Sequence, residues 1–143
     1  MILGIDPGLR RIGIAVADED TWFARPLEVI DVRAVDPLAR IARLAVERGV
    51  TLVVVGVAVG LSGRRGPAAR SHEEFASQVR SALEVEVVEY DERLTTILAE
   101  RRLRDAGASA RSRKGLRDAV AAQVMLQGYL DSARRGDTRD SAT

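Results

Sequence analysis

The sequence predicts an α/β layer fold built on a mixed β-sheet. Three observations carry this. Strand-like segments crowd the first 32 residues, and the opening two meet at a tight turn. From Asp36 onward, helical and strand-like periodicities alternate. Within that half, Thr51–Val59 is a β-branched run too uniformly apolar for a one-sided strand, so it reads as a strand covered on both faces.

The opening stretch, Ile2 to Ala17, is the organising element. Ile2, Leu3 and Ile5 run into Asp6-Pro7-Gly8, and a second apolar run starts at Ile12. Pro7 and Gly8 mark a bend, so the pattern is strand, turn, strand. After the polar Asp18-Glu19-Asp20 turn, Trp22–Val32 reads as a third strand. Pro26 interrupts it and lacks an amide donor, which assigns it to a sheet edge. Asp36 and Pro37 then read as the N-cap and first position of a helix with Leu38, Ile41, Ala42, Ala45 and Val46 on its apolar face and Gly49 as its stop.

Gly60–Pro67, with Arg64 and Arg65, reads as a loop at the end of the covered strand, where α/β proteins carry function. Ser71, with Glu74 at capping-box spacing, starts a helix over Phe75, Val79, Ala82 and Leu83. Val85–Tyr90 is the last strand, followed by Asp91-Glu92-Arg93 and a helix from Thr95 or Thr96 to about Ala106. Ala108–Gly115 reads as a flexible basic loop, Leu116–Leu130 as the final helix, and Asp131–Thr143, polar and without periodicity, as a frayed tail.

Composition excludes several classes of chemistry. There is no cysteine and one histidine, His72, which removes disulfides, thiolate nucleophiles and cysteine or histidine metal cages. Any metal must be held by carboxylates, which suit hard ions such as Mg²⁺ or Mn²⁺. The longest apolar run is too short to cross a bilayer, and Met1 opens directly onto a strand, so a cytoplasmic location without membrane attachment is expected. Of 22 basic residues only Lys114 is lysine. That bias fits phosphate binding by arginine forks, but a genome rich in arginine codons is the simpler explanation.

Three acids stand out by position. Asp6 ends the first strand, Glu92 follows the last, and Asp118 lies in the first turn of the final helix, on the side shared with Ala121, Ala122 and Met125. Each has a local explanation: a turn, an ion pair with a neighbouring arginine, a helix dipole. Jointly, at three element boundaries and beside arginine-bearing loops, they point to carboxylate-held metal acting on phosphates. Asp91 is a fourth candidate that strand alternation puts on the opposite side from Glu92. His72, among Ser71, Glu73 and Glu74, reads as an exposed helix-cap residue, with a proton carrier as the alternative.

At these residues the sequence resembles the YqgF/RuvX family, a group of Holliday junction resolvases or pre-ribosomal-RNA nucleases with an RNase H-like fold. The match lies in Gly4-Ile5-Asp6-Pro7-Gly8 with Ile12-Gly13-Ile14-Ala15, in Asp91-Glu92-Arg93-Leu94-Thr95-Thr96, and in Asp118-Ala119-Val120-Ala121-Ala122 with Leu126-Gln127. One departure is Gly56-Val57-Ala58 followed by Gly60, where the family usually reads Gly-Leu-Pro and then Asn. The resemblance implies a five-stranded mixed sheet flanked by helices, and similarity up to Leu130 sets the expected nuclease domain at residues 1–130, with 131–143 as the flexible tail that its polar sequence predicts. It also implies Asp6, Glu92 and Asp118 as catalytic ligands for Mg²⁺ or Mn²⁺, as two ions. Arg10, Arg11, Arg64, Arg65, Arg111, Arg113, Lys114 and Arg117 lie in segments expected to rim that site and hold phosphates. The substrate implied is RNA or branched DNA, with 5′ processing of precursor small-subunit ribosomal RNA first and cleavage of a Holliday junction second. A junction cutter needs two sites in a homodimer, whereas a monomer suits RNA trimming. Two readings of other kinds are a non-catalytic RNA-binding ribosome-assembly factor and an actin-like ATP-binding phosphotransferase. The latter shares the Asp-x-Gly turn but needs two such domains around a nucleotide, and 143 residues hold one.

Overall fold

The computed structural model describes residues 1–57, 67–91 and 110–135, with the side chains of 67–69, 110–117 and 135 left undescribed. Five strands, β1 (Ile2–Asp6), β2 (Arg11–Ala17), β3 (Ala24–Asp31), β4 (Leu52–Val57) and β5 (Glu86–Asp91), form one sheet in the order β3-β2-β1-β4-β5. The β1–β2 and β2–β3 pairs are antiparallel, and β1–β4 and β4–β5 are parallel. The helices are α1 (Pro37–Glu47), α2 (Pro67–Ala82) and α3 (Ala110–Arg135). This is the expected mixed α/β architecture.

Alternation along the strands divides the core in two. Leu3, Ile5, Ile12, Ile14, Val53 and Val55 pack with Ile41 and Leu44 of α1 and Ala76 and Val79 of α2. Ile2, Ala15, Ala17 and Val54 pack on the other face with Ala122, Met125, Leu126 and Leu130 of α3. β4 is therefore covered on both sides, which is why its sequence shows no polar alternation. β3 is an edge strand as Pro26 implied, with the register slipping between Ile14 and Ala15 opposite it. The strand starts two residues later than expected because Trp22 adopts φ 59°, a left-handed conformation that ends a turn rather than starting a strand.

Two other boundaries move. α2 begins at Pro67 instead of Ser71, since proline is well suited to the first turn of a helix, whose amides have no intrahelical acceptor. α3 begins at Ala110, so the expected basic loop is its opening turns, and it ends at Arg135, five residues past the expected stop. α1 matches: the Asp36 side chain accepts from the Leu38 amide at 3.2 Å, and Gly49 sits at φ +59°. The expected helix at Thr95–Ala106, the Gly60–Gly66 loop and the tail beyond Arg135 lie outside the described residues.

Two glutamines fix α3 along its axis. The Gln127 side chain accepts from the Ala24 amide at 2.8 Å and donates to the Trp22 carbonyl at 3.1 Å, and Gln123 donates to the Ala24 carbonyl at 3.2 Å. Gln127→Ala leaves two partly buried backbone groups unsatisfied, and stability should fall by about 1–3 kcal/mol in urea titration. An unchanged midpoint would mean that solvent replaces both bonds.

Candidate active site

A glycine relates the position of Asp6 to that of the Asp118 backbone. Asp6, the last residue of β1, lies directly opposite Gly13 of β2. Opposed residues of an antiparallel pair project to the same face. At Gly13 that face is pressed against α3: a Cβ there would lie 2.0 Å from the carbonyl oxygen of Asp118. Gly4, two residues before Asp6 on the same face, also packs closely, since a Cβ there would lie 2.8 Å from the Leu126 Cβ. Paired glycines on the sheet and alanines on the helix thus bring the α3 backbone onto the strands. Asp6 and Asp118, both half-buried, therefore lie on the α3 side near the carboxyl end of β1, with the Asp118 backbone against Gly13.

Arg11, one alternation before Gly13, reaches the same spot. Its guanidinium is 3.9 Å from the Asp118 carboxylate, which is 29% exposed, a charge contact longer than a hydrogen bond. It offsets part of the acid's charge without enclosing it. The turn that carries Asp6 is equally constrained, since a Cβ on Gly8 would stand 2.3 Å from the Arg11 carbonyl oxygen.

The other expected residues fall into three sets. Arg10 is exposed in the turn beside this pair. Arg111, Arg113, Lys114 and Arg117 lie on the two turns of α3 that lead into Asp118, on a helix rather than in a loop. Glu92, Arg64 and Arg65 lie outside the described residues. Asp118 stands in the third turn of α3, so the helix dipole does not account for it. Asp91 pairs in register with Val57 and alternates with Tyr90, which packs on the α3 side; it therefore projects toward the α1–α2 layer, away from Asp6, as alternation implied.

Oxygen-only donors and the lack of thiols suit a hard divalent cation. Among the described residues no three acidic or histidine side chains converge. The two acids fit such an ion as part of a set whose remaining candidate is Glu92.

His72 departs from expectation. It is not a cap but lies well inside α2, half-buried, on the wall of a cavity formed with the Asp6 turn. Burial pushes its pKa below the usual imidazole value, against the opposing charge of Asp6. The folded state therefore resists a proton that the unfolded chain accepts below about pH 6.5. This contribution is intact above that range and is lost on acidification. Between pH 7.5 and 5, the urea midpoint of the metal-free wild type should fall further than that of His72→Gln. Parallel declines would assign the pH dependence to other groups.

Sequence reasoning also passed over Gly4 and Gly13. Their signal was present, since a glycine inside a strand often marks a close backbone approach.

A mixed five-stranded sheet in this order, with helices on both faces, is the RNase H-like arrangement. Solved structures agree on the fold. Thermus thermophilus RuvC in complex with a Holliday junction substrate superposes with a TM-score of 0.60 at 21% identity, covering 95% of this chain and 96% of that one. The Fowlpox virus resolvase with its junction DNA gives 0.56 at 11% identity, over 92% and 97%. The chain belongs to the RuvX family, described as Holliday junction resolvase, whose model matches residues 1–132. A Chloroflexus aurantiacus protein named "Putative pre-16S rRNA nuclease" is 43% identical over 140 residues, 97% of this chain and 92% of its own. A Bacillus cytotoxicus protein of the same name is 40% identical over 134 residues, 92% and 98%.

Proposed function

We propose that this protein is a divalent-metal-dependent nuclease that hydrolyses phosphodiester bonds, with the 5′ end of precursor small-subunit ribosomal RNA as its substrate. What supports this is that Asp6 lies opposite Gly13, the glycine against which the Asp118 backbone packs, at the end of the sheet and beside arginines. Carboxylates gathered at one site would repel each other and be stabilised by a shared cation.

In this reading Asp6, Glu92 and Asp118 hold Mg²⁺ or Mn²⁺, as two ions. When bound, such ions supply an activated water and neutralise charge on the leaving oxygen. The chain's own contribution is positional. β1 fixes Asp6, and the Gly13 contact sets the depth of Asp118. Arg10 and Arg11 at the turn, Arg111, Arg113, Lys114 and Arg117 along the start of α3, and Arg64 and Arg65 hold the phosphates that flank the scissile one. Residues 1–130 are the nuclease domain, its last helix running on to Arg135, and the setting is the cytoplasm.

A second reading, cleavage of four-way DNA junctions, is favoured by the likeness to RuvC and the viral resolvase. The two separate on substrate and on assembly, because symmetric junction cleavage requires paired sites. Side-by-side digestion of precursor ribosomal RNA and a synthetic junction with Mn²⁺ or Mg²⁺, alongside sedimentation analysis, tests both. RNA cleavage by a monomer supports the first reading. Junction cleavage by a dimer replaces it, and binding without cleavage of either supports the assembly-factor alternative.

A further inference from the structure

A cavity of about 340 Å³ opens on the other side of the Asp6 turn. Pro7, Leu9 and Ile12 form one side, and Ser71, His72 and Phe75 of α2 form the other. We infer that it receives an unstacked nucleobase of the substrate strand, next to the phosphate addressed by the acids. This rests on the nuclease reading and adds to it a subsite that contacts a base.

Four observations support this occupant. The first is position: Pro7, which directly follows Asp6, lines the cavity together with His72. A nucleotide whose phosphate sits at Asp6 has its neighbours within reach of the cavity. The second is the chemistry of the wall. His72 and Phe75, three residues apart on α2, share a helix face and bring an imidazole and a phenyl ring to one pocket. Unpaired bases are held on such rings, with polar edges left for hydrogen bonding. The imidazole nitrogens and the Ser71 hydroxyl provide that polar component among otherwise apolar atoms.

The third is size. The cavity falls at the small end of ligand pockets, suited to a single planar ring system rather than a duplex. The fourth is Leu9, 95% exposed on the rim. A base entering beside it covers apolar surface that otherwise faces water. The low aromatic content of the chain, 3%, argues against base stacking along an extended surface, but one of its two phenylalanines stands here.

The test begins by mapping the cleaved bond in RNA. Each nucleotide flanking it is then replaced by an abasic residue, and KM is measured for wild type, His72→Ala and Phe75→Leu, the last of which keeps an apolar group in the core. At one flanking position the abasic change should raise the wild-type KM roughly 5- to 100-fold, the range of a lost base–aromatic stack. In the two variants the same change should alter KM less than about twofold, because the stack is already gone. A 2-aminopurine at that position should be quenched on binding to wild type and less so on binding to the variants, which a merely structural role would not produce. Wild-type insensitivity at every flanking position overturns the inference, as does an equal penalty in wild type and variants. Asp6-dependent cleavage with that insensitivity would remove the base pocket alone, whereas failure to bind or cut nucleic acid would remove the nuclease reading with it.

Discussion

Asp6→Asn should abolish phosphodiester cleavage, with kcat reduced at least a hundredfold, while leaving the protein folded. Asparagine keeps the shape and the turn but removes the charge, so a binding defect is isolated from a packing defect. The comparison needs a second readout, since a contaminating nuclease would also obscure a loss of activity. Thermal denaturation with and without Mn²⁺ provides it. A cation that binds only the folded state at a hundred times its dissociation constant stabilises by about 2.7 kcal/mol. For a domain of this size that corresponds to a rise in melting temperature of roughly 5–10 °C. Wild type should show the rise, and Asp6→Asn, like Asp118→Asn, should lose most of it. Retained activity in Asp6→Asn would trace the cleavage to another protein. A retained thermal shift in both variants would move the metal away from β1.

Most of the architecture was legible because the strands are strongly patterned. β1, β2 and β4 are rich in isoleucine and valine, and both layers of the core draw on them. The position of Asp6 was legible because an apolar strand that meets Pro-Gly has to end there, at the last residue of β1. Asp118 could be read as inward-facing from Ala121, Ala122 and Met125, but its place in the helix was misread. Ser112 and Gly115 look like loop residues, and a glycine inside a helix costs only about 1 kcal/mol relative to alanine, which a packed 26-residue helix tolerates. α3 therefore extends back to Ala110. The His72 cavity was not legible at all. It exists because residues of α2 and of the β1–β2 turn border one space, a relation between segments some sixty residues apart that no local pattern encodes.

The close approach at Gly13 makes the second large effect predictable. Alanine there would place its Cβ 2.0 Å from the Asp118 carbonyl oxygen, where the obstacle is helix backbone, not a side chain that can rotate away. Either α3 lifts from the sheet or β2 retreats into the opposite core layer. Lifting α3 strains the Gln127 and Gln123 bonds to the β3 entry and opens the cluster around Met125 and Leu126; moving β2 compresses Ile12 and Ile14. Both routes are overpacking, so the loss should be about 3 kcal/mol or more, seen as a lowered urea midpoint. The functional effect should exceed the stability effect. Displacing Asp118 by even about 1 Å separates it from Asp6, and misplacement on that scale costs on the order of a hundredfold in rate. Gly13→Ala assayed well below its own melting temperature should therefore cleave as poorly as Asp118→Asn, and its Mn²⁺ thermal shift should shrink in parallel. Gly49→Ala, strained at φ +59° but with no atom within 4 Å of the new methyl group, is the matched control: it loses stability and keeps its rate. If Gly13→Ala loses stability but cleaves at the wild-type rate, the spacing of Asp6 and Asp118 is not what the glycine protects.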